Sequence, residues 1–156
     1  MGAHLSEDEY RRIYGETKTI AVVGASENPR KPAHGIPAYL KREGYRIIPV
    51  NPRGGEILGE PVRTSLAEID EPVDVLINNA ALYPPHRDDG GVLDVPDEEW
   101  RSLVETNFLG ALWTARAFVP GMIARGYGRV VNVSSDYGSF GLGLKGPASY
   151  SVGKAA

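Results

Sequence analysis

No cysteine occurs in the 156 residues, which excludes disulfides and thiol catalysis and leads to the expectation of a reducing, cytoplasmic setting. Histidine is scarce as well. His4, His34 and His86 are scattered along the chain, so a dedicated metal site is not expected. No N-terminal run has the basic start and apolar centre of a signal peptide. The most apolar long stretch, 102–124, is broken by Glu105, Asn107, Arg116 and Pro120, which excludes it as a membrane span. Charge of one sign is also lacking: a net −3 gives no reason to expect nucleic acid or an anionic membrane as partner.

What is present is the balance of a globular domain, with 42% hydrophobic and 24% charged residues. Ser6, with Glu9 three residues on, forms a capping-box pattern, and Gly15 is placed to stop the helix it opens. "IAVV" running into Gly24 reads as a buried strand entering a tight turn. "PAHGIPAYLKREG" reads as a helix with Tyr39 and Leu40 facing inward and Pro37 in its early turns, where proline is cheapest. "YRIIPV" is a second strand, "SLAEI" a brief helical piece, "VDVLIN" a third strand and "GRVVNVSS" a fourth. The spacing over 97–125 predicts one long amphipathic helix that starts at the acidic "PDEEW". Strands alternating with helices, each strand too apolar for an open face, predict a single Rossmann-like, doubly wound domain. Its parallel sheet has four to five strands, covered on both sides, with sites at the carboxyl ends.

The residues at those ends suggest chemistry. "VVGASENPRKPAHG" sets Gly24, Ala25 and Ser26 just past a strand and before a helix, where small residues let backbone N–H groups approach a phosphate. The second strand ends at Asn51 and Arg53, where an NAD-binding sheet commonly carries an acid. A guanidinium there suits an extra phosphate, as on NADP or the 3′-phosphoadenosine of coenzyme A, and equally suits plain solvation. "YSVGK" puts Tyr150 and Lys154 at i and i+4, so both can share one helix face. An ammonium beside a phenol favours the phenolate and readies it for proton transfer. Asn107 stands mid-helix, a costly place for a short amide unless it bonds something.

Two resemblances follow. Residues 17–75, through "VGASENPRK", "GYRIIPVNPR", "ILGE" and "SLAEIDEPVD", resemble the small CoA-binding proteins akin to the CoA-binding domain of succinyl-CoA synthetase. That resemblance implies phosphate contacts from Gly24, Ala25, Ser26 and the "NPR" turn. Residues 73–156, through "DVLINNAA", "ETNFLGALWTARAFVPGMI", "GRVVNVSS" and "YSVGKAA", resemble the short-chain dehydrogenase/reductase family. It implies an oxidoreductase that uses NADP or NAD on a small carbonyl or secondary alcohol. In it Tyr150 is the acid/base and Lys154 lowers its pKa and holds the nicotinamide ribose. Ser135, next to Ser134, bonds the substrate carbonyl, Asn107 joins a proton relay, and Asn78, Asn79 and Ala80 form the cofactor-side turn.

The two patterns meet on "VDV", so the chain reads as two half-Rossmann units, 1–75 and 73–156, joined at a shared strand. The resemblance also implies a C-terminally incomplete domain, whose altered glycine loop and short catalytic helix argue against full activity. Non-catalytic CoA or nucleotide binding, and an inactive chimera, are the alternatives. Apolar surface left bare on 97–125 predicts self-association.

Overall fold

The computed structural model describes residues 5–83, 95–135 and 148–155. Helix α1 (Glu7–Glu16) begins at the expected capping box: the Ser6 amide donates to the Glu9 carboxylate at 2.7 Å and the Glu9 amide donates back to Ser6 Oγ. It runs past Gly15 and is capped by Thr17. Strand β1 (Thr19–Val23), helix α2 (Pro32–Arg42) and strand β2 (Arg46–Val50) follow as one β-α-β unit. Pro37 lies in the middle of α2 and is buried, not in its early turns. Tyr39 is more than half exposed, so only Leu40 of the expected inward pair packs on the core.

A small antiparallel hairpin, β3 (Glu56–Ile57) and β4 (Glu60–Pro61), was not anticipated. Its chain leads to Arg63, whose amide donates to the Pro49 carbonyl and whose carbonyl receives the Asn51 amide. Those bonds cover the outer side of β2, where Pro49 has no N–H to offer. "SLAEI" forms a single 3-10 turn, Leu66–Glu68. Strand β5 (Val75–Asn78) then enters the sheet.

The expected helix over 97–125 is three pieces in one rod: α3 (Asp97–Val104), a π-turn at Glu105–Leu109, and α4 (Gly110–Arg125). Acids fill the first turn of α3, as the dipole favours. The amphipathic expectation fails for α4, which carries apolar side chains all round and buries only Thr114 and Met122. Gly126, at φ 69°, ends it in the left-handed conformation that glycine adopts without strain. Strand β6 (Arg129–Asn132) and helix α5 (Ala148–Ala155) complete the described elements.

The main sheet is parallel, in the order β2-β1-β5-β6. Its register aligns Val50, Val23, Asn78 and Asn132 in one row, so the turns at Asn51, Gly24, Asn79 and Val133 leave the same edge. Alternate residues feed two cores. Ile20, Val22, Ile47 and Val75 join Ala25, Ile57 and Val62 on one face, while Ala21, Ile48, Val73 and Leu76 meet Met122 on the other. This is the Rossmann-like, doubly wound single domain that the alternation of strands and helices predicts.

The shared strand is held at its start by Asp74. Its carboxylate accepts from the Lys18 and Thr19 amides at 2.9 and 3.0 Å, and its own amide donates to the Thr19 carbonyl. One acid thus fixes β5 to β1, and the sheet runs unbroken through both halves of the sequence. The outermost strand departs from expectation. All residues of β6 are exposed, Val130 by 38% and Val131 by 45%.

Candidate functional site

In a doubly wound sheet the ligand crevice opens at the carboxyl ends of the strands, where the chain reverses direction across the sheet. Here that point lies between β1, which leads outward to β2, and β5, which leads toward β6. Gly24 turns the chain out of β1 with φ 85°. A Cβ there would lie within 2.5 Å of the Ala80 nitrogen, so the turn after β1 and the turn after β5 are in backbone contact. The Asn79 amide reinforces that contact by donating to the Val23 carbonyl at 3.0 Å.

The Gly24–Ser26 segment is more committed than a phosphate cradle requires. The Gly24 amide donates to the Val50 carbonyl and the Ser26 amide to the Ala33 carbonyl. Ser26 Oγ accepts from the Asn28 amide, and Asn28 Oδ1 in turn accepts from the Arg30 amide. Among the described residues no acceptor faces the Ala25 amide. Asn51 serves the fold: its Nδ2 donates to the Ala25 carbonyl at 2.8 Å and its Oδ1 accepts from the Arg53 amide. Arg53 itself is exposed, as are Arg30 and Lys31.

Toward β6 the edge hollows into a cavity of about 290 Å³, lined by Val23, Asn78, Ala80, Asn107, Asn132 and Lys154 among others. A second hollow of about 430 Å³ adjoins it, with Asn107, Ala111, Asn132, Val133 and Lys154 on the shared wall and Ser134 on its own side. Lys154 Nζ donates to the Val133 carbonyl at 2.7 Å, and burial lowers its pKa from the ordinary value of 10.5. Ser134 Oγ donates to the Lys154 carbonyl at 2.9 Å, which ties α5 to the end of β6. Ser135 is half-buried one residue on.

Asn107 sits at the centre of the π-turn, where the wider helical spacing frees a local side chain. Its Oδ1 accepts from the Leu82 amide at 2.8 Å and its Nδ2 donates to the Leu82 carbonyl at 3.0 Å. Gly153 of α5 packs on it, with space for a Cβ only 3.1 Å from the Asn107 Cβ. The next residue after Leu82, Tyr83, lays its ring 4.7 Å from that of Tyr150, tilted by 58°. Tyr150 is half-buried and borders neither cavity; Lys154, one turn on, borders both.

Asn78 is placed differently from a loop residue in a cofactor-side turn. It is the last residue of β5, only 8% exposed, and its carboxamide links two neighbours. The Thr114 hydroxyl donates to Asn78 Oδ1 at 2.6 Å, sharing its proton with the Ala111 carbonyl at 2.9 Å, and Asn78 Nδ2 donates to Asn132 Oδ1 at 2.8 Å. Neither Thr114 nor Asn132 is singled out by sequence motifs. A polar residue inside the apolar run "RVVNV" was the available signal for Asn132. Among the described residues no group of three or more acids and histidines is placed to hold a metal. No helix among them is long and apolar enough to cross a membrane.

Comparison with known proteins matches both halves. Residues 18–93 match the family model described as a CoA binding domain. The uncharacterized protein YneT of Bacillus subtilis (strain 168) is 42% identical over 71 residues, covering 46% of this chain and 53% of the relative. The 3-oxoacyl-(acyl-carrier-protein) reductase FabG of Escherichia coli (strain K12) is 29% identical over 147 residues, 88% of this chain and 55% of the relative. The solved structure of a short-chain dehydrogenase from Streptomyces avermitilis superposes with a TM-score of 0.72 at 27% identity, covering 90% of this chain and 57% of that one.

This chain therefore spans about half the length of these relatives. The two likenesses overlap more widely than "VDV": the CoA-binding match continues beyond β5, and the reductase match reaches back into the first half. The chain is similar to short-chain dehydrogenase/reductases over most of its length and to CoA-binding domains over its first half, and it has the fold of NAD(P)-dependent oxidoreductases.

Proposed function

We propose that this chain binds a nicotinamide dinucleotide, NADP or NAD, along the carboxyl edge of the sheet and carries the proton-transfer residues for reducing a small carbonyl or oxidising a secondary alcohol. One observation carries the reading: Lys154 lines the same cavity as Val23, Asn78 and Ala80, which brings the Tyr-x-x-x-Lys helix to the switch point of the sheet. The residues present suit the cofactor's two ends. The Ala25 amide, with Arg30 and Lys31 in the same loop, suits the pyrophosphate, and Lys154 with Asn132 suits the nicotinamide ribose. Arg53, standing where an acid would select NAD, tilts the choice toward NADP.

When bound, the cofactor supplies or accepts the hydride. The protein moves the proton. Tyr150 donates it to the carbonyl oxygen in reduction and takes it back in oxidation, with Lys154 one helical turn on. Ser135 donates a hydrogen bond to that oxygen, next to Ser134, whose hydroxyl donates to the Lys154 carbonyl. Asn107 acts through position, holding Leu82 and so Tyr83 beside the Tyr150 ring. The test follows nicotinamide absorbance over a panel of ketones. Turnover by the wild type that falls to background in Tyr150→Phe supports the proposal; no turnover above that control rejects it.

A second reading, non-catalytic binding of CoA or a related 3′-phosphoadenosine, is favoured by the family-model match over 18–93. There the Gly24–Ser26 turn and Arg53 face the phosphates. Calorimetric titration with CoA tests it, and an affinity indifferent to Gly24→Val counts against that turn. In a third reading the chain is an inactive join of two half-Rossmann units, and its bare α4 and β6 surfaces then drive self-association.

A further inference from the structure

Asn132 closes β6 at the carboxyl edge and lines both hollows. Its Oδ1 is occupied by Asn78 Nδ2, and Asn78 Oδ1 is occupied by the Thr114 hydroxyl. That chain of bonds fixes which end of the Asn132 carboxamide faces inward. The oxygen faces the buried asparagine, and the amide nitrogen is left toward the cavity, where among the described residues no protein atom accepts its hydrogens. An oriented donor on a cavity wall is a ligand contact in waiting, because a bound oxygen there replaces water at little cost in order.

The register gives the part of the ligand that reaches it. Asn132 lies in the same cross-sheet row as Val23 and Asn78, two strands from β1. At roughly 4.8 Å per strand that is about 10 Å from the Gly24 turn. A pyrophosphate over the switch point sends one nucleoside toward β2 and the other toward β6. The β6 side also holds Lys154.

We propose that Asn132 is a ligand-binding residue that donates a hydrogen bond from Nδ2 to a hydroxyl or carbonyl oxygen of the nicotinamide riboside. Thr114 and Asn78 are positioning residues that hold the carboxamide in that orientation. The proposal rests on the dinucleotide reading above and adds to it a contact and the buried pair that aims it.

Asn132→Asp separates this role from a structural one. Aspartate still accepts from Asn78 Nδ2, so the link between β5 and β6 survives, while the cavity-side donor becomes an acceptor. The experiment titrates wild type and variant by fluorescence with NADPH or NADH, whichever the wild type binds, and with ADP, which carries the pyrophosphate end alone. The expected result is a loss of about three- to tenfold for the nicotinamide cofactor, with ADP affinity unchanged. Thr114→Val should weaken cofactor binding in the same direction, and Thr114→Ser, which keeps the hydroxyl, should restore it. Equal losses for cofactor and ADP, or no loss for either, overturn the assignment. A wild type that binds no nicotinamide cofactor overturns the dinucleotide reading and this inference together. A wild type that binds it with Asn132→Asp unaffected overturns this inference alone.

Discussion

Gly24 and Ala80 lie backbone against backbone at the mouth of the sheet, with no room between them for even a methyl group on Gly24. Gly24 leaves β1 and Ala80 follows β5, and both fall within the stretch that matches CoA binding domains. Their contact closes the turn after β1 onto the turn after β5. Together with Asp74, which accepts from the Lys18 and Thr19 amides at the start of β5, it ties β1 to β5 at both ends.

Replacing Gly24 with alanine therefore strains a positive φ and forces Ala80 away at once. The left-handed conformation alone costs roughly 1–2 kcal/mol for a residue with a Cβ, and the collision adds to it. Chemical denaturation should show Gly24→Ala destabilised by about 2 kcal/mol or more, while Gly15→Ala, which has open space at its Cβ, changes stability little. Equal stability of the two variants would show that the Gly24–Ala80 contact is not as tight as described.

Asn107 gives a separate handle. Truncation to alanine removes both bonds to the Leu82 backbone, each worth about 1 kcal/mol. If Asn107 works by placing Tyr83 against Tyr150, Asn107→Ala lowers kcat more than it raises KM for cofactor. Asn107→Asp, which keeps only the acceptor for the Leu82 amide, falls between it and wild type. A pure KM effect would count against this positional role.

Burial holds the Lys154 pKa below 10.5 in the folded state, so the folded chain binds fewer protons than the unfolded one between that lowered value and 10.5. The penalty of the buried ammonium is present in full at lower pH and is relieved as pH rises through that window. Thermal melts of wild type and Lys154→Met should show wild type gaining on the variant as pH climbs from neutral toward 10.5. A constant gap would mean that Lys154 is solvated.

The bare flank of the molecule predicts association. Ile123 is 74% exposed on α4, Val130 and Val131 stand open on β6, and nothing described pairs with that strand's outer edge. An unpaired apolar edge is a template for another strand. Light scattering should detect dimers or larger species that Val131→Lys dissociates. A monomer in the wild type would contradict it.

Much of the fold was legible because periodicity and punctuation agree: apolar runs ending in Gly24, Asn51 and Asn78 mark strands, and Ser6 with Glu9 marks a helix start. The π-turn was not, since a one-residue bulge leaves hydrophobic spacing almost intact; only the mid-helix Asn107 hinted at it. The exposure of β6 escaped the sequence because "RVVNV" reads the same whether a neighbour covers it or not. The motifs singled out Lys154 and Asn107, which line the cavity, yet Thr114 was hidden, its hydroxyl meeting a partner on β5. The loop 136–147 and the segment 84–94, including His86, lie outside the described residues.

The most direct measurement is a parallel calorimetric titration of the intact chain with NADPH, NADH and CoA. The account predicts that a nicotinamide dinucleotide binds at one site per chain, and that Lys154→Met weakens it. Binding of CoA alone, or a nicotinamide affinity untouched by the Lys154 change, would contradict the placement of the cofactor along this edge of the sheet.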